Sequence, residues 1–173
     1  MNRSLAPRVL STSAALVVGC AAALAVSAPA QAAAFSAPYT CSTPLGEQQA
    51  TVEGDWTATP DPATVGEPVT IALNVTSLGL TAPLTINSWS ATTAVEVSGS
   101  ETASAEVSGS GGPVPANQPI TAQLSGTWTP TAAGTAELRN GTVTINADVV
   151  LLGAMTVVCT PNEPRSVFTL TVG

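Results

Sequence analysis

The chain has no histidine and no lysine, few aromatics and only three cysteines. Each scarcity excludes a class of chemistry. Without histidine there is no Ser-His-Asp or Cys-His nucleophile, no His-liganded zinc and no imidazole general base. Without lysine there is no Schiff-base or Ser-Lys chemistry. Aromatics make up 3% of the residues, so a core must come from Val, Leu, Ile and Ala. Basic charge is nearly absent. Arg3 and Arg8 sit near the N-terminus, which leaves Arg139 and Arg165 against eleven carboxylates, a balance of −9 beyond residue 32. A surface this acidic cannot neutralise phosphates, so nucleic acid and anionic membranes are poor partners. No G-x-S-x-G, phosphate-cradling loop or C-x-x-C is present.

What is present is alternation. Thr142 to Cys159 organises the rest: Val143, Ile145, Ala147 and Val149 alternate with Thr142, Thr144, Asn146 and Asp148. Period two over that length predicts a half-buried strand. Leu152-Gly153 breaks the run, and Met155, Val157 and Cys159 continue it as a second strand. The same pattern returns in Gln49 to Thr57, Val69 to Thr76, Leu84 to Ser90, Ile120 to Trp128, Thr135 to Arg139 and Ser166 to Val172. Pro60-Asp61-Pro62, Gly66-Glu67-Pro68, Gly111 to Pro115 and Pro130 to Gly134 supply turns. Beyond the first segment no apolar stretch follows helical spacing, and none reaches the length of a membrane span.

Residues 1–32 read as a secretory signal peptide: a basic start, an apolar run from Val9 to about Val26, then small residues with cleavage expected between Ala32 and Ala33. Val17-Val18-Gly19-Cys20 also resembles a lipobox, which makes lipid anchoring at Cys20 the competing outcome. Residues 33–173 form one domain. About nine strands separated by turns predict an antiparallel immunoglobulin-like Greek-key sandwich, with a jelly roll as second choice. Between them, residues 94–112 are of low complexity, and Glu-Val-Ser-Gly-Ser occurs at Glu96–Ser100 and Glu106–Ser110. Two short polar strands with similar glycine turns are expected there.

The layout resembles a group of secreted actinobacterial proteins of unassigned function. The matching features are the Ala-rich leader, Tyr39-x-Cys41-x-x-Pro44-Leu45-Gly46, the turn Pro130-Thr131-Ala132-Ala133-Gly134 and Cys159-Thr160-Pro161. The resemblance implies a β-sandwich with a Cys41–Cys159 disulfide, and no catalytic residues. The cysteine count points to the same bond. Once the leader is removed these are the only two thiols, and an oxidising compartment pairs an even number.

Three site readings follow. Trp89 falls with Thr85 and Asn87 on the polar phase of its strand, opposite Leu84 and Ile86, while Trp56 and Trp128 fall on apolar phases. An outward Trp89, more exposed than Trp56 and Trp128, would stack on a sugar or dock a protein, whereas a bulge or sheet edge there would tuck it away. Glu53 and Asp55, two apart on one strand face, are the only carboxylate pair suited to glycosidase chemistry, although such a pair is more often a solvated face. Asp61, Glu67 and Asp148 offer hard oxygens for calcium, but no D-x-D-x-D-G loop groups them. The expectation is therefore a secreted, non-enzymatic binding or structural domain without cofactor or metal, whose partner is a protein or a carbohydrate.

Overall fold

The computed structural model describes residues 32–44, 46–163 and 166–173. Residues 1–31 of the expected signal peptide, Cys20 among them, lie outside the described residues. Nine strands make the fold, with no helix among the described residues: β1 (Ala33–Thr43), β2 (Gly46–Thr59), β3 (Val69–Ser77), β4 (Ile86–Gly99), β5 (Ala103–Gly111), β6 (Ala122–Trp128), β7 (Gly134–Val149), β8 (Gly153–Pro161) and β9 (Ser166–Val172). β1 begins at Ala33, the residue after the expected cleavage point.

The strands join in the order β4-β5-β6-β3-β2-β1-β8-β7-β9, and β4 also pairs with β7. All these ladders are antiparallel. Two seams are thin. β5 meets β6 only at Ser108–Ser125, and β1 meets β8 only from Tyr39 to Ser42. The seams divide the ladder into two layers, β1-β2-β3-β6 and β5-β4-β7 with β8 and β9. β8 runs along Val143–Val149 of β7 and β9 along Gly134–Arg139, so the two act as one interrupted edge strand. β4, β5 and β6 lie side by side in chain order, and β7 returns to the free edge of β4. This is the expected Greek-key sandwich of immunoglobulin type.

Alternation fixes which face is inside. Val69, Ile71, Leu73 and Val75 of β3, Ala50, Val52 and Trp56 of β2, and Phe168, Leu170 and Val172 of β9 are all buried. Tyr39 and Cys41 turn inward on β1, as their phase requires. Burial pushes the Tyr39 phenol above its usual pKa range, and its hydrogen bond with the buried Asn140 pulls the other way. Cys41 and Cys159 are bonded and stand directly opposite across the β1–β8 seam, with Cα atoms 3.9 Å apart. The bond therefore lies within a ladder, clamping the first strand to the penultimate one.

Three strand expectations are corrected. Thr135–Arg139 and Thr142–Val149 are one strand, β7; an extra residue opposite Thr93–Val95 bulges it near Gly141 without ending it. The strand expected at Leu84–Ser90 begins at Ile86 and runs on to Gly99. The low-complexity region is not a pair of polar strands but part of the core: Val95, Val97, Ala105 and Val107 are buried. The two Glu-Val-Ser-Gly-Ser copies also use their glycines differently. Gly99 turns the chain at a φ of +98°, whereas Gly109 lets β5 cross β6. A Cβ on Gly109 would stand 2.0 Å from the Gln123 carbonyl oxygen, and one on Gly126 equally close to that of Glu106. Only glycine permits that corner between the layers.

Glu101, in the β4–β5 turn, ties this corner to the β6–β7 connection. Its carboxylate accepts the Thr131 hydroxyl and, at 2.9 Å, the Thr131 backbone N–H. These bonds, the hydroxyl first, hold its pKa below the usual glutamate range against the opposing effect of burial. A depressed native pKa gives stability that is complete above the unfolded value and is lost as pH falls through the native one. Glu101→Gln is expected to cost about 1 kcal/mol at neutral pH. It should also flatten the acid limb of a stability–pH profile. Parallel profiles for the two proteins would remove Glu101 from the acid response.

Candidate functional site

The most distinctive surface lies at one end of the second layer. Here β7 and β8 run out into a hairpin whose tip is Val150-Leu151-Leu152. Its inner face is apolar, yet Val143, Ile145 and Val157 are only partly buried against the core. The alternation of the Thr142 run is as expected, with Val149 and Cys159 buried at either end and the residues between them half-covered.

Trp89 belongs to this end. It pairs with Gly111 of β5 and Ala147 of β7, and a Cβ on Gly111 would stand 2.9 Å from its indole. The bare backbone of Gly111 thus forms the floor under the ring. Trp89 is half-buried and packs against the core, whereas Trp56 and Trp128 are 1% and 6% exposed. Trp89 is thus more exposed than the other two, as its strand phase predicts, but it is tucked toward the core and not turned outward. β4 carries an extra residue, Asn87, between Ile86 and Ser88, and this bulge reverses the phase. Trp89 therefore shares parity with the buried Ala91, Thr93, Val95 and Val97. A bulge of this kind leaves no signal in a pattern of alternating residues.

Beside Trp89 is a shallow depression of about 390 Å³ over β4, β7 and β8, with Ser88, Ser90, Asn146, Asp148 and Thr156 in its wall. Its polar groups are already ordered. Thr156 donates to Asn146 Oδ1 at 2.8 Å, and Asn87 donates to Asp148 Oδ2 at 3.0 Å. Sequence reasoning found Asp148 but not the serines, since only the register of three strands brings them together.

The other expected groups do not converge. Glu53 and Asp55 share the outer face of β2, Glu53 exposed and Asp55 half-buried, on the layer away from the depression. Asp61 and Glu67 sit in the β2–β3 connection, which meets the start of β7 through Val172. Asp148 lies at the opposite end of β7. Among the described residues no three acidic, Cys or His groups are placed to hold a metal. The one described cation, Arg139, is held by Glu137 at 3.2 Å, so no basic patch forms among these residues. No helix of the described residues is long and apolar enough to cross a membrane. No family model, curated protein or solved structure matches the chain.

Proposed function

We propose that the chain is a secreted, non-catalytic binding or structural sandwich that makes its contacts through the end carrying Trp89 and the β7–β8 hairpin. The observation that carries this reading is the half-covered inner face of that hairpin. A folded domain leaves a contiguous apolar face half-covered where something else is to cover it. Secretion draws support from the Cys41–Cys159 bond, which suits an oxidising compartment. The mature N-terminus is expected between Gln31 and Ala34. Mass spectrometry of secreted material checks this, and a diacylglyceryl group on Cys20 would contradict it.

Trp89 supplies the test. As the one half-buried tryptophan it should account for nearly all acrylamide quenching of the emission, and Trp89→Phe should remove that fraction. An added partner that occupies this end must shield it. A partner that binds with Trp89 quenching unchanged would place the contact elsewhere. The depression favours carbohydrate as a second reading, because its hydroxyl, amide and carboxylate groups are of the kind that bind the hydroxyls of a sugar. Titration with a panel of polysaccharides that leaves Trp89 unshielded throughout would rule that reading out. A hydrolase acting through Glu53 and Asp55 draws no support from their position on β2.

A further inference from the structure

The outer edge of β8 is unpaired over five residues. β1 covers β8 only at Val158–Pro161, and among the described residues no strand or backbone hydrogen bond takes Gly153–Val157. Open edges are normally blunted with lysine, proline or a bulge. This one has none of these. Residues 149–161 carry no charge, their only proline is the last residue, and the register against β7 is unbroken.

The flanks of the edge are apolar at a cost. Leu151 is 89% exposed, Leu152 48%, Val150 37% and Val158 39%. Leu151 also has a φ of +71° in a turn closed by the Leu152 N–H and the Val149 carbonyl, a position that suits glycine or asparagine. Neither the backbone nor solvation accounts for a leucine there. A partner surface does.

We propose that this edge pairs antiparallel with the same edge of a second copy, so that the sheet continues across a twofold axis near Ala154–Met155. The inference rests on the reading of this end as the binding surface and names its partner. Identical antiparallel strands are self-complementary about such an axis. Charge selects the same partner. Two copies of so acidic a chain repel one another at most approaches; the strip from Val149 to Pro161 carries no charge, and the nearest carboxylate, Asp148, lies one strand back opposite Ala154 and accepts from Asn87, so this is where two copies can meet. Ala154 and Thr156 are small and exposed, so the two strands can come close. Met155 and Val157 would then extend the half-covered face of Ile145 and Trp89 into that of the other copy.

Light scattering over a concentration series of the mature chain should give a dimer mass. Leu151→Asp puts a residue that tolerates positive φ at the tip, and Ala154→Glu sets two like charges against each other near the axis. Each should raise the dimer dissociation constant by more than about tenfold without moving the unfolding midpoint of the monomer. Ala154→Cys should yield a disulfide-linked dimer on a non-reducing gel, whereas Ser110→Cys should not. A monomer at all concentrations overturns the proposal, as does a dimer indifferent to both charged variants. A monomer whose Trp89 is shielded by some other added partner also overturns the self-pairing, while leaving the reading of this end as a binding surface intact.

Discussion

Replacing Cys41 and Cys159 together by alanine lowers the unfolding free energy by roughly 4–5 kcal/mol at most. The residues are 118 positions apart, so the bond closes nearly the whole domain and removes much of the freedom of the unfolded chain. The native state adds a local reason. β1 pairs with β2 along its full length but with β8 only from Tyr39 to Ser42, and the bond sits inside that short ladder. Without it the seam between the layers rests on a few backbone hydrogen bonds and the burial of Tyr39. Urea midpoints of the oxidised protein and the double variant measure the loss. The double change is needed, because a single one leaves a buried thiol facing an alanine. Equal midpoints would mean that the unfolded chain is restrained by something other than the bond.

Trp56→Ala costs about 3–5 kcal/mol. The side chain is 1% exposed, lies near the C-terminal end of β2, and meets Phe35 of β1 with ring centroids 6.1 Å apart, so truncation leaves a cavity and removes this ring contact. Trp56→Phe should be far milder, at about 1–2 kcal/mol. The indole N–H is buried without a hydrogen-bond partner, and its removal relieves a desolvation penalty that partly offsets the lost volume. Chemical denaturation of both variants decides the matter. Similar losses for alanine and phenylalanine would show that the N–H, and not the volume, matters at this position.

The strands that could be read from the sequence are those in which apolar residues alternate without a fault. β3 shows this best: Val69, Ile71, Leu73 and Val75 are expected inside and are inside. β9 behaves in the same way. The difficulties arise where one residue is inserted. The extra residue in β7 near Gly141 looks like a strand end in the sequence, but β4 pairs across it and carries the ladder on. The bulge at Asn87 reverses the phase of Trp89. Small residues conceal strands for a different reason. Val97 and Val107 are each set among serine and glycine, which suggests short polar strands, yet both are core residues because β4 and β5 pair along Trp89–Val97. Of the candidate site, Trp89 and the alternating faces of β7 and β8 were legible. The free edge of β8 and the depression were not, because each depends on where neighbouring strands stop.

The placement of the Cys41–Cys159 bond also determines how the protein meets a pulling force. Tension applied between the two ends of the domain enters at β1 and leaves at β9. With the bond intact, the residues between Cys41 and Cys159 lie in a closed loop that carries no load. Only the few residues before Cys41 and the short tail after Cys159 can be drawn out, even if every hydrogen bond breaks. For a separation of 118 residues, roughly 400 Å of chain is thereby withheld from extension. An oxidised copy is a nearly inextensible link between whatever is attached to its ends, and a reductant turns it into a long, slack one.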